Sequence, residues 1–128
     1  MVSTISKNGT TTSYNTTSDI RLKENVTATQ YGIATIMKMN VKDYNFINDR
    51  KKSLHTGFLA QELYTLFPQA ITVGGDDAKI NPWMVDYSKL TPLLVKSIQE
   101  QQDELEALKK ENAEMKKQLV EILQHLKN

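Results

Sequence analysis

From Ile98 to the C-terminal end, apolar residues recur at alternating intervals of three and four: Ile98, Leu105, Leu108, Met115, Leu119, Ile122 and Leu126, with Gln101 and Asn112 in the same register. A stripe of that period, sustained over about four heptads, is the seam of a coiled coil, a surface built to be covered by another helix. No second helical pattern of comparable length exists in the 128 residues. The seam therefore points to self-association rather than to packing within one chain. Its flanks agree: Glu104 and Glu111 lie on one shoulder, and Lys109 and Lys116, five residues further on, lie on the other. In a parallel assembly that register places each Glu beside a Lys of a neighbouring chain. Leu at a positions with Leu, Met and Ile at d positions disfavours a plain dimer, whereas Asn112 at an a position favours one, so the seam alone leaves dimer and trimer open. Lys127 and Asn128 end the helix, and His125 falls on its solvated side.

Composition removes most enzyme classes. Sixteen Lys and Arg against fifteen Asp and Glu leave a net charge of +1, which provides no electrostatic case for nucleic acid or a membrane surface as partner. The absence of cysteine excludes disulfides, thiolate zinc sites and a cysteine nucleophile. His55 and His125 are the only histidines, too few for a convincing metal site. No apolar run approaches the ~20 residues of a membrane span, and Met1 to Thr17 lacks the basic start and apolar centre of a signal peptide. No cofactor is expected.

The chain divides into three parts. Residues 1–18 are rich in Ser, Thr and Asn, with Val2, Ile5 and Tyr14 as the sizeable apolar groups. Runs of Thr without Pro suit strands better than a solvating tail, so this stretch reads as the last strands of a β-structured fibre lying upstream. Residues 19–89 carry mixed signals of an α+β head. Ala28 to Met39 has near-helical spacing despite Gly32. Val41 to Ile47 and Ser53 to Thr56 read as strands about a turn at Asn48 to Lys52. Leu59, Leu63, Leu66 and Phe67 mark a helix that Pro68 ends. Ala70 to Val73 and Trp83 to Tyr87 read as short strands around Gly74 to Asp77. That GGDD loop and Asp86 lack the alternating ligands of a calcium loop and read as a polar turn. Residues 90–128 form the coiled-coil helix.

The junction Ser18-Asp19-Ile20-Arg21-Leu22-Lys23-Glu24-Asn25-Val26 carries the chemistry. A serine hydroxyl needs a neighbouring base to act as a nucleophile, and a lysine serves when desolvation or a nearby cation favours its neutral form. In an extended strand Ser18 and Lys23 would lie ~16 Å apart on opposite faces, so they meet only if the chain turns between them. Taken alone, the spacing equally fits Ser18 or Asp19 as a helix cap and Lys23 as a solvated charge.

The junction, together with GFLAQELYTLFPQAI at Gly57 to Ile71 and VDYSKLTPLLVKSIQEQ at Val85 to Gln101 leading into the heptads, resembles the C-terminal intramolecular chaperone and auto-processing domain of phage tailspikes and tail fibres. The endosialidase tailspikes are the familiar members, and proteins of the myelin-regulatory-factor type carry a related domain. The resemblance spans Ser18 to about Leu126. It implies a single-turnover serine endopeptidase acting on its own chain, with Ser18 as nucleophile and Lys23 as general base. The scissile bond lies next to the serine, placed at Ser18–Asp19, with Thr17–Ser18 as the alternative. It further implies a homotrimer that helps an upstream fibre or spike to fold and is released from it, within a virion precursor made in the host cytoplasm. Backbone amides from Leu22 to Asn25 and the Asn25 side chain are candidate oxyanion donors by proximity alone. His55, just before Gly57 at the strand-to-helix junction, is a further polar candidate beside the reading of a hydrogen-bonded structural histidine, and Gln61 and Glu62 at the start of the helix are candidates for positioning the loop. Two rivals differ in class: a trimerisation module that stays attached without cleavage, and a coiled-coil scaffold with an unrelated head.

About seventy residues are left for the head once both ends are set aside. At that size a single core is marginal and needs a staple, and the heptads supply one where disulfides are excluded.

Overall fold

The computed structural model describes residues 3–128. Met1 and Val2, the first residues of the expected upstream stub, lie outside the described residues. Residues 3–16 form a hairpin, β1 (Ser3–Asn8) antiparallel to β2 (Thr11–Thr16). Gly9 turns it at φ +60°, a left-handed conformation that costs glycine least. Ile5 sits opposite Tyr14, and the two remain 73% and 79% exposed. The hairpin has paired its backbone, and residues 4–16 are all exposed.

The head is a mixed α+β assembly of short elements. Helix α1 (Ile33–Ile36) is followed by the antiparallel pair β3 (Lys42–Tyr44) and β4 (His55–Gly57). Helix α2 (Ala60–Leu66) follows, then a 3-10 turn at Pro68–Ala70 and the antiparallel pair β5 (Ile71–Thr72) and β6 (Met84–Val85). Helix α3 (Leu90–Lys127) runs for 38 residues, a length of about 57 Å at 1.5 Å per residue.

Several elements are shorter than their sequence patterns predict. The helix expected over Ala28 to Met39 keeps only four residues. The Thr29 hydroxyl accepts the Tyr31 N–H at 3.1 Å, and Gly32 is extended, so the chain is held out of the helix until Ile33. Such side-chain bonds compete with the helical ladder. The strands expected to meet across Asn48 to Lys52 instead flank a loop from residue 45 to 54. There the Asp49 carboxylate accepts the Ser53 and Lys51 N–H groups at 2.7 and 2.9 Å, and Lys52 takes φ 52°. Those amides hold the Asp49 carboxyl below its ordinary range, Ser53 most strongly. Around GGDD the strands shrink to two residues each, closed by the Lys79 N–H on Asp77 Oδ1 and the Gly75 N–H on the Asn81 carbonyl.

Leu63, Phe67 and Ala70 form the core with Leu90 and Leu93, and Tyr31, Ile36, Met39, Phe58, Ile71 and Val85 pack around them. The first turns of α3 are thus part of the head. Leu90, Leu93 and Ser97 are buried and Glu100 half-buried along one stripe of the helix, whereas every residue from Gln101 onward is exposed. The seam residues Ile98, Leu105, Leu108, Met115, Leu119, Ile122 and Leu126 are all among the exposed large apolar groups. One helix therefore carries two stripes, a short one that completes the core of its own chain and a long one that nothing among the described residues covers.

Candidate active site

Between β2 and α1 the chain folds sharply back through a 3-10 turn at Ile20–Leu22. Asp19 caps it, its carboxylate accepting the Arg21 N–H at 2.9 Å, while the Arg21 guanidinium donates to both carboxylate oxygens from Nε and Nη2. Two backbone bonds close the turn, Leu22 N–H to the Asp19 carbonyl and Lys23 N–H to the Ile20 carbonyl, each 3.1 Å. The Arg21 side chain and then its backbone N–H hold the Asp19 carboxyl below its ordinary range, with the nearby Lys23 charge adding to the effect. The same pairing raises Arg21.

The turn supplies what the spacing alone lacked. Lys23 Nζ lies 2.7 Å from Ser18 Oγ and donates to it, whereas an extended chain would hold them ~16 Å apart. Both residues are exposed. Lys23 forms one wall of an open cleft of about 630 Å³ that Thr16, Tyr31, Gln69, Ser88 and Lys89 also line. Thr16 stands just ahead of the Thr17–Ser18 bond, so the cleft adjoins the upstream side of the junction. At its far edge the Asp86 carboxylate accepts the Ser88 hydroxyl at 2.6 Å and the Ser88 N–H at 3.0 Å, fixing the turn that starts α3.

The candidate supporting residues do not gather around the pair within one chain. Leu22 and Lys23 N–H are consumed by the turn, so of the backbone amides named as candidates in that stretch only those of Glu24 and Asn25 lie outside it. Asn25 has a left-handed φ of 53°, so it changes the chain direction just beyond Lys23. His55 stacks on the Tyr44 ring at 5.8 Å, with Phe46 edge-on at 5.2 Å. Gln61 and Glu62 line a separate cavity of about 450 Å³ with Met39 and Phe58. No hydrogen bond joins any of these three to Ser18 or Lys23 among the described residues.

Sequence reasoning passed over Tyr31, Ser88 and Lys89 as cleft residues. The Asp86-Tyr87-Ser88 capping pattern before a long helix was the available signal. Tyr87 has its own role: its hydroxyl accepts the Phe58 N–H at 3.2 Å and occupies the space where a Cβ at Gly57 would stand. It ties the start of α3 to the end of β4.

Residues 18–72 match the family model of Peptidase S74, described as chaperone of endosialidase. The match begins at the serine of the Ser–Lys pair and ends with β5, bearing out the resemblance read from the sequence over that stretch. No curated protein and no solved structure matches the chain.

Proposed function

We propose that this chain is a self-cleaving intramolecular chaperone: it trimerises through the α3 seam, assists folding of a β-structured fibre or spike upstream of Ser18, and separates from it by Ser–Lys autoproteolysis. The observation that carries this reading is the 2.7 Å contact between Ser18 Oγ and Lys23 Nζ, at the first residue of the stretch that matches a peptidase and chaperone family.

In the structure the ammonium donates to the hydroxyl. For catalysis the direction reverses: neutral Lys23 Nζ accepts the Ser18 Oγ proton as the oxygen attacks. Ring size selects the bond within one chain. Attack by Ser18 Oγ on its own carbonyl closes a strained four-atom ring, whereas attack on the Thr17 carbonyl closes a five-atom ring, so the cut is placed at Thr17–Ser18 rather than Ser18–Asp19. The Thr17 carbonyl carbon bonds to Oγ, its bond to Ser18 N breaks, and that nitrogen takes the proton back from Lys23. Water then hydrolyses the ester, leaving a Thr17 carboxylate and regenerating the Ser18 hydroxyl. On this reading the Glu24 and Asn25 amides are the donors that stabilise the developing oxyanion.

Trimerisation serves both parts of this function. Neighbouring chains cover the seam and draw water away from the exposed Ser18–Lys23 pair, which favours the neutral lysine that the step needs. Three tethered copies also raise the local concentration of the strands that must register with one another. Once the clamp has left, the fibre has no template for refolding and persists by slow unfolding. The natural setting on this reading is a tail-fibre or spike precursor in the cytoplasm of a phage host.

The exposure of both Ser18 and Lys23 favours one second reading, an assembly module that stays attached. Intact-mass measurement and N-terminal sequencing after expression separate the two. A fragment beginning at Ser18 supports the mechanism above. One beginning at Asp19 requires a nucleophile other than Ser18 of the same chain, and a single uncut mass supports the attached module.

A further inference from the structure

Glu100 stands where α3 leaves its own head. It is the last residue of the inward stripe Leu90, Leu93, Ser97 and Glu100, and it lies between Ile98 and Gln101, the first two seam positions. Its carboxylate Oε2 accepts the Ile33 N–H at 2.7 Å, across 67 residues of sequence, in a half-buried contact. Helix α1 has no side-chain cap of its own, since Gly32 occupies the cap position. Glu100 supplies the missing acceptor from another helix, satisfying one of the free N–H groups of the first turn. Gly32 is buried, and a Cβ there would stand within 2.7 Å of the carboxyl carbon. A side chain at position 32 would therefore have to displace the Glu100 carboxylate, whereas the φ of −159° is extended backbone that any residue adopts. Lys96, one turn earlier at 3.8 Å, steadies the carboxylate from the side.

The residue before Gly32 is Tyr31. Its ring meets Phe67 edge-on at 4.9 Å and forms a wall of the cleft that Lys23 also lines. A continuous path of contacts therefore runs from the first seam turn, through Glu100 and the Gly32–Ile33 backbone, to a wall of the cleft that Lys23 also lines.

We propose that Glu100 is the positioning residue that couples the seam-bearing helix to the cleavage site, transmitting the placement of α3 to the Tyr31 wall of the cleft. This rests on the cleavage reading above. It requires neither direct contact between Glu100 and the reacting atoms nor a role in holding the chains together, since Glu100 is off the a and d positions.

The test uses the full chain and follows cleavage rate and oligomeric state in parallel. Glu100→Ala is expected to slow cleavage at least tenfold with the oligomer unchanged. Glu100→Gln, whose amide oxygen still accepts the Ile33 N–H, is expected to stay within about threefold of wild type, which a simple requirement for charge would not allow. Gly32→Ala is expected to slow cleavage like Glu100→Ala, and the double variant to be no slower than either single one, because both changes break one contact. Wild-type cleavage in Glu100→Ala, or slowing only where the oligomer is lost, would overturn the coupling. If the wild-type chain does not cleave, the cleavage reading fails by itself, and hydrogen exchange at the Ile33 amide reports on the clamp separately. Protection lost in Glu100→Ala keeps the mechanical link between α3 and α1, and unchanged protection overturns it.

Discussion

Lys23 Nζ reaches Ser18 Oγ at 2.7 Å because Asp19 and Arg21 lock the turn between them. The pair belongs to a local structure of six residues, and its geometry depends on a cap rather than on the core. What the turn does not provide is shelter, since neither group is buried. The chemistry proposed for it joins a locally encoded contact to an environment that only other chains can supply.

The Asp19 cap gives the first prediction. Asp19→Ala removes the acceptor for Arg21 N–H and the partner of its guanidinium, so the turn loosens and the Ser18–Lys23 encounter becomes rarer. Cleavage should slow by several-fold while the far-UV spectrum and the thermal midpoint stay near wild type. Asp19→Asn, which retains an oxygen acceptor, should lie between the two. A rate unchanged in Asp19→Ala would show that the turn is held from elsewhere.

The core gives the second. Leu63 is 2% exposed amid Phe67, Ala70, Leu90 and Leu93, and Leu63→Ala should cost about 2–5 kcal/mol in urea unfolding. A small core makes that a large share of the total. A loss well below this range would mean that the head collapses around the cavity.

Assembly gives the third. Leu105→Ser with Leu119→Ser removes two exposed a-position leucines and should yield monomers by light scattering, with cleavage slowed or abolished. Undiminished cleavage in a proven monomer would mean that the site is complete within one chain, against the proposed role of the trimer in drying it.

Acid gives the fourth. Hydrogen bonds from Ser88, the side chain foremost, hold the Asp86 carboxyl below its ordinary range. A carboxyl lowered in the folded state contributes stability that is present above its unfolded value, about 3.9, and is lost as pH falls through the folded value. Acid unfolding should therefore begin at higher pH in Ser88→Ala than in wild type, with little difference between the two slopes near neutrality. Overlapping acid transitions would show that the Asp86 cap does not respond to this bond.

Long-period features were legible in the sequence and short-range overrides were not. The long helix α3 and the Leu63–Phe67 face of α2 were readable because an apolar period of three and four, repeated over successive turns, fits a helix face and does not fit a strand or loop. Strands in the first eighteen residues were readable from the Thr-rich composition, but their pairing as a hairpin about Gly9 was not. The helix expected from Ala28 failed because the Thr29 hydroxyl and the Glu100 carboxylate, one local and one 67 residues distant from Ile33, decide where α1 starts. The long loop between β3 and β4 replaced a tight hairpin because Asp49 gathers two backbone amides. At the candidate site, Ser18 and Lys23 were identified by resemblance and brought together by the turn. His55 and Gln61 were nominated from their places at the strand-to-helix junction and the helix start, and the fold puts them in an aromatic cluster and in a different cavity.

The central claim is most directly tested by denaturing electrophoresis of the freshly expressed chain beside Ser18→Ala and Lys23→Ala, with the oligomeric state of each confirmed. The account predicts that wild type alone loses an N-terminal fragment of about 2 kDa, judged from ordinary residue composition, while both variants assemble and stay whole. Equal full-length masses for all three assembled chains would contradict it.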